Sequence, residues 1–341
     1  MRLRSLLLSL ALLFLSLSSI AAGPGYHLVN TWKLGGDGGW DYLTADGDAR
    51  RLYIARATRV MVVDLDSGKL IAEISDTPGV HGITIDHKRG RGYVSCGGDN
   101  SVLVFDTTTL KPITRIKVGE RPDAILFDPA TDHVFTFNAG SQDSTVIDVN
   151  KNEVVGTIPL GGDPEFAATD LQGTVFVNMA DKNSLYALDA TKLTVKSRWP
   201  LPGCEEPTGL AIDRKHRRVF SGCEKIMAIT DADSGQQVAN APVGEGVDAA
   251  AFDEETGLAF ASAGADAKLT VVQSQGGDKY SVVGMPSTQK GARTMALDPK
   301  THSIYLVTAD FGPRPAPTAD HPHPRPPILP GTFVVLVMGR Q

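Results

Sequence analysis

A strand-like run ending in aspartate recurs along almost the whole chain: WDYLTAD ending at Asp46, HGITID at Asp86, DAILFD at Asp128, EFAATD at Asp170, TGLAID at Asp213, DAAAFD at Asp253 and RTMALD at Asp298. Successive aspartates lie 40, 42, 42, 43, 40 and 45 residues apart. A period of this length means stacked copies of one supersecondary unit, each too small to bury its own apolar face. After each aspartate come a turn and a second β-rich run, in order RLYIA, RGYVS, HVFTF, TVFVN, RVFSG, LAFAS and SIYLV. A third follows, such as VMVVDLDSGK around Asp64 or VLVFDTTTLK around Asp106, and a fourth, such as LIAEI ending at Ile74 or VVGTI ending at Ile158, completes the unit. Short apolar runs punctuated by Gly, Asp and Ser turns read as strands, and four of them in about 42 residues are the signature of a propeller blade. Seven copies predict an all-β fold: a seven-bladed β-propeller of four-stranded antiparallel blades, WD40-like in architecture.

The seventh copy is one strand short, because after TFVVLVM at residues 332–338 only three residues remain. At the other end YHLVNTW, Tyr26 to Trp32, is a strand without a blade, with Tyr26, Leu28 and Trp32 on one face at period 2. Pairing the two closes the ring and removes the edges that an open array would expose. Ahead of this strand, Arg2 and Arg4 precede an apolar stretch from Leu6 to Leu17, and Ser19, Ala21 and Ala22 are small. That pattern reads as a secretory signal peptide over residues 1–22, leaving residues 23–341 as one propeller domain. No later stretch reaches the roughly 18 apolar residues that a membrane span needs, so a monomer, secreted or periplasmic, is expected. The formal net charge of −6 argues against a nucleic-acid partner, which would need a basic surface. Three cysteines are too few for a disulfide scaffold or a cysteine-rich zinc site. Cys204 enters blade five and Cys223 ends that blade's second strand, so a disulfide between them is expected in an exported chain, with Cys96 left free.

The repeat of about 42 residues, the run CEEPTGLAID with RVFSGC, and the C-terminal PRPPILPGTFVVLV resemble the YVTN-repeat propellers of exported bacterial proteins, in particular their YncE-like members. The resemblance spans essentially all of residues 23–341. The YVTN tetrapeptide itself is absent, its nearest equivalents being Tyr93-Val94-Ser95-Cys96 and Val175-Phe176-Val177-Asn178. What the resemblance implies is the fold and export; it carries no agreed reaction.

Short motifs lose their force once placed in the repeat. Gly244 to Ala249, GEGVDA, fits a loose dinucleotide fingerprint, yet a blade strand follows it where that fingerprint needs a helix. Asp231-Ala-Asp233-Ser-Gly235 opens like a calcium loop but lacks the distal Glu and occupies a hairpin slot. The seven anchoring aspartates sit at strand ends, where a carboxylate bonds turn N–H groups. No GxSxG, HExxH or Walker pattern occurs.

Position within the blade says more. The first strand of each blade lines the central channel, so the residue five before each anchoring aspartate projects near the channel mouth. Around the ring this slot reads Asp41, His81, Asp123, Glu165, Thr208, Asp248 and Arg293. A ring of this composition is the expected ligand-binding site, for a small molecule or a protein at the hub face. Four carboxylates drawn to one axis repel unless a cation compensates, and a hard divalent ion such as Ca²⁺ would suit their oxygens. The alternative is a propeller-type lactonase or other metal-assisted hydrolase, with His81, Glu165 and Arg293 as base, acid or metal ligand, and oxyanion clamp. Convergence separates the two: carboxylates within coordination distance of one point favour metal or enzyme, whereas splayed ones favour binding. A Pro-rich loop from Ala309 to Gly331 in blade seven opens on the same face and carries Asp310, Asp320, His321 and His323. Pro content of that kind favours stiff extended segments, and His-Pro-His is only two metal ligands of the number required.

Overall fold

A computed structural model describes residues 25–318 and 324–340. The expected signal peptide and the residues Asp320, His321 and His323 lie outside the described residues. Every blade is a four-stranded antiparallel sheet, seven in all. Their first strands are Leu43–Asp46, Val80–Asp86, Pro122–Asp128, Pro164–Thr169, Leu210–Asp213, Val247–Asp253 and Met295–Asp298. These touch one another in ring order, and the last touches the first, so they form the inner wall of a closed ring. No α-helix occurs among the described residues; the single helical turn is 3-10, Ala180–Lys182.

Blades pack face to face, and this explains why the second and third strands are apolar on both faces instead of alternating. Arg51–Arg56 and Arg59–Asp64 bury Leu52, Tyr53, Ile54, Ala55, Val60, Met61, Val62 and Val63 almost completely. A strand sandwiched on both sides reads as a continuous apolar run. Fourth strands lie at the rim and alternate, as in Thr194–Pro200. Clusters of aliphatic and aromatic side chains between successive blades form the core, with Tyr53 against Phe105 and Phe220 stacked on Phe252.

The seam is closed as expected. His27–Lys33 pairs antiparallel with Val334–Gly339 and becomes the outermost strand of blade seven. Tyr26 and Trp32 are buried, but Leu28 is 46% exposed: the register slips between Leu28 and Asn30, and the bulge turns Leu28 outward, against its expected place on the buried face. Arg56 ties the seam from blade one. Its guanidinium is fully buried, donates to the carbonyls of Gly36, Asp37, Gly38 and Gly39, and lies 3.8 Å over the Phe333 ring. Gly36 and Gly38 take positive φ, which lets this segment fold its carbonyls around the cation. Burial lowers the Arg56 pKa to about 10, so the group stays charged near neutral pH.

Cys204 and Cys223 form the expected disulfide, with Cα atoms 5.3 Å apart and a sequence separation of 19. Closing a loop of that size is worth about 3 kcal/mol by the chain-entropy account. Cys96 is free and buried, and burial raises its thiol to about 11.

Candidate functional site

At the point where each first strand meets the hub face, the sheet is irregular. In blades two, three, four and six the register shifts between Val80 and Ile83, Pro122 and Ile125, Pro164 and Ala167, and Val247 and Ala249. His81, Asp123, Glu165 and Asp248 sit inside those shifts. In blades one, five and seven the strand begins just after Asp41, Thr208 and Arg293. A bulge re-aims the side chain it carries. All seven slots therefore leave the regular ladder at the same height.

The ring then divides into two groups. His81 Nδ1 lies 2.6 Å from Asp41 Oδ2 and 3.6 Å from Asp123 Oδ1. Ligand atoms of these three residues fall within 4.8 Å of one another, so three of the seven slots meet the convergence criterion. Burial works against charge on His81, but the hydrogen bond to Asp41 and the charge of Asp123 outweigh it, and the imidazole is held above its ordinary value. Gly97 makes room for this ring, because a Cβ there would come within 3.1 Å of its edge. In the second group Arg293 Nη1 is 2.6 Å from Asp248 Oδ2, and Nη2 is 3.9 Å from Asp41 Oδ1. Asp248 is pushed up by burial, with Arg293 pulling the other way.

Glu165 belongs to neither group. It makes no hydrogen bond or ion pair among the described residues, and burial together with Asp123, Asp248, Asp163 and Asp41 raises its carboxyl to about 9. Asp123 is raised to about 6, chiefly by burial, and its buried Oδ1 accepts no hydrogen bond. Thr208 turns away from the ring, its Oγ1 donating to the Val247 carbonyl at 2.9 Å. It stitches blade five to blade six.

One feature was not expected from the sequence. The residue after each hub slot reads Tyr42, Gly82, Ala124, Phe166, Gly209, Ala249 and Thr294. Tyr42 of blade one meets Phe166 of blade four edge to face, ring centroids 4.1 Å apart, across the width of the channel. Phe166 also packs against three of the inter-blade clusters. The hub is thus a cup with an aromatic floor, not an open channel. Tyr42 is 7% exposed, and burial with the charges of Asp123, Glu165, Asp41 and Asp248 holds its phenol well above the usual range. The signal was in the sequence, as two aromatics in a slot otherwise filled by small residues.

The chain matches no family model and no curated protein. Among solved structures it is similar to a chain of hydrazine synthase from Kuenenia stuttgartiensis, with a TM-score of 0.68 and 17% identity over 79% of this chain and 92% of that one. It is also similar to a chain of a mitotic checkpoint complex, with a TM-score of 0.73 and 13% identity over 100% of this chain and 99% of that one. The fold is a seven-bladed β-propeller. At such identities these likenesses carry the fold and nothing of the chemistry.

The remaining sequence motifs take structural places. Asp231 accepts from the Asp233 and Ser234 amides and the Ser234 hydroxyl, so the calcium-like run is a turn. The second half of GEGVDA already belongs to the strand Val247–Asp253, where the fingerprint would need a helix. The Pro-rich loop is pinned at its base by Phe311 pairing with Ile328 and by Phe311 against Trp40. Asp310 faces Gln289 at 3.0 Å, whereas Arg325 lies near enough to Asp248 to join Arg293 in opposing the rise that burial imposes on that carboxyl. No helix among the described residues is long and apolar enough to cross a membrane.

Proposed function

We propose that this chain is an exported binding propeller, related to the YncE-like YVTN-repeat proteins, whose hub cup recognises a small ligand or a group presented by a partner. One observation carries the reading: six ionisable side chains from six different blades share one slot at the hub face, above the Tyr42–Phe166 contact, and the uncharged slot, Thr208, is spent on packing. A wet channel needs no floor. Closing it with Tyr42 and Phe166 fixes a depth and excludes water beneath the charges, which strengthens whatever they bind. Export is supported by the basic and apolar start of the sequence and by the disulfide, which an oxidising compartment maintains.

His81 and Arg293 compensate Asp41 and Asp248 at close range, while Asp123 meets His81 only at 3.6 Å and Glu165 has no hydrogen-bond or ion-pair partner among the described residues. A cation is the complement, whether a divalent ion or a charged organic group. Cations at millimolar concentration should raise the melting temperature of the wild type, and replacing Glu165 and Asp248 by Ala should abolish that rise without unfolding the chain. A melting temperature that no cation moves would remove this reading.

The hydrolase reading is favoured by one contact, the Asp41–His81 pair at 2.6 Å, which orients an imidazole as a general base requires. Lactone hydrolysis that is lost in His81→Ala and in chelated protein would support it, and inactivity of metal-loaded protein toward lactones would leave binding alone.

A further inference from the structure

We infer that the occupant of the hub cup is an organic ammonium ion, its charged head held by Asp123 and Glu165 and its carbon stem lying over the Tyr42–Phe166 floor. This rests on the hub being a binding site and narrows what it binds. Three observations point to an organic cation over a metal ion.

The first is the state of the cluster with metal-ligand composition. A metal bound at roughly 2.0–2.4 Å by an imidazole and a carboxylate separates their ligand atoms by about 3 Å. Nδ1 of His81 and Oδ2 of Asp41 are 2.6 Å apart, a proton's hydrogen bond with no room for an ion between them. A metal held by these two atoms would have to break the pair, whereas an ammonium leaves it intact and uses the other acceptors.

The second is where the free acceptors lie. Asp123 Oδ1 is buried and accepts no hydrogen bond, its nearest cation being His81 Nδ1 at 3.6 Å, and Glu165 has no hydrogen-bond or ion-pair partner among the described residues. An ammonium carries three donors and no acceptor, which suits these oxygens, and its arrival displaces the proton that burial keeps on Glu165 near neutral pH. The third is the floor. Aromatic rings beneath a charged head attract it through their quadrupoles and also shield an alkyl stem from water, and bare metal ions have no stem to place there. Arg293 and Arg325 flank Asp248, so the opening for a cation is on the Asp123–Glu165 side.

The test is calorimetric titration and thermal shift on the chain without residues 1–22, at constant ionic strength, with n-butylammonium and 1,5-diaminopentane as probes. Butanol serves as the uncharged control, and Ca²⁺, Mg²⁺ and Zn²⁺ as the metals. The amines are expected to bind saturably in the millimolar range or tighter, and butanol at least tenfold more weakly. Glu165→Gln and Asp123→Asn should each weaken amine binding about tenfold or more. Phe166→Leu should weaken butylammonium several-fold while changing methylammonium much less, because only the longer stem reaches the floor. Two carboxylate variants are used so that misfolding of one, seen in its melt, leaves the other to decide. If a divalent metal binds and the amines do not, the ammonium inference is overturned while the hub remains a binding site. If neither binds, both fall. Amine binding that survives in both carboxylate variants would place the site elsewhere and overturn the inference.

Discussion

Each first strand of the propeller is flanked by a slot at either end, an aspartate at the far end in every blade and an acid in four of seven at the hub, and the two rings of side chains so formed behave oppositely. At the far end the seven anchoring aspartates are buried and saturated. Asp46 accepts from the amides of Asp48 and Ala49, and Asp170 from those of Gln172 and Thr174 and from Arg217. Asp298 takes the Lys300 amide, the Thr301 hydroxyl and Arg50 of blade one. Several of these bonds cross to the next blade, as in Asp128 with Thr169 and Asp253 with His302. At the hub end the carboxylates outnumber their partners. Burial opposes ionisation in both places, but Arg50, Thr301 and Lys300 overcome it and lower Asp298, whereas nothing overcomes it at Glu165. The lesson is one of repetition. A slot filled by the same residue in all seven copies answers a need that every blade shares, which is to end a strand; a slot that changes from blade to blade answers a need of the whole ring.

Both rings exist only in a closed ring, so the harshest way to break the comparison is to open it. Deleting the chain through Leu34 removes the outer strand of blade seven and exposes the edge of Val334–Gly339. Loss of the cooperative thermal transition, with aggregation, is the expected outcome; a melt like that of the intact chain would show that the seam is dispensable. Next in size, Asp298→Ala should cost about 3 kcal/mol in urea unfolding, because it strips the Lys300 amide, Thr301 and Arg50 of their acceptor at once. If Glu165→Ala cost as much, the two rings would not differ as argued.

The rings should also titrate with opposite sign. The Glu165 carboxyl has its ordinary value of 4.5 when unfolded and about 9 when folded, so between these the folded chain holds a proton that the unfolded chain has lost. Stability must fall as pH rises through that window. Glu165→Gln removes the slope, and the variant should gain on the wild type by about 2 kcal/mol between pH 5 and pH 8, after screening by water at the cup mouth. Asp298 works the other way: its folded value is depressed, so its contribution is present above the unfolded value and is lost as pH falls through the folded one. Parallel pH profiles for wild type and Glu165→Gln would refute the assignment. The smallest effect is expected at the one hub slot that behaves like an anchor. Thr208→Val orphans the Val247 carbonyl and should cost about 1 kcal/mol while leaving cation binding unchanged.

Counting back five residues from each anchoring aspartate was enough to find the hub slots, since strand pitch and blade order carry a sequence position to a height and a sector. Two things were not legible that way. Whether Arg293 would take Asp248 or Asp41, and His81 Asp41 or Asp123, depends on ångström differences between neighbours that are equally close in the repeat. The floor escaped because Tyr42 and Phe166 are 124 positions apart and stand in blades that are not neighbours in the ring. The bulges that aim the slot residues inward leave no mark in the alternation either. The closing strand was legible in kind, although the slip between Leu28 and Asn30 put Leu28 on the wrong face.

The seam also sets an order of events. Six blades are made from strands that follow one another along the chain, and each can form as soon as its own residues are together. Blade seven alone takes strands from both ends: Trp32 finds Val335, about 300 residues away, where hairpin partners are separated by about 10. In a free chain that difference costs about 3 kcal/mol of loop-closure entropy. It vanishes once the first six blades have stacked, because they curve the two ends toward each other. Closure therefore belongs to the last step of folding, and until then the seventh sheet waits with an unpaired edge. The interval between stacking and closure is when the molecule is most exposed to pairing with the edge of another copy, and Arg56 with its grip on the Gly36–Gly39 carbonyls and Phe333 is what ends it.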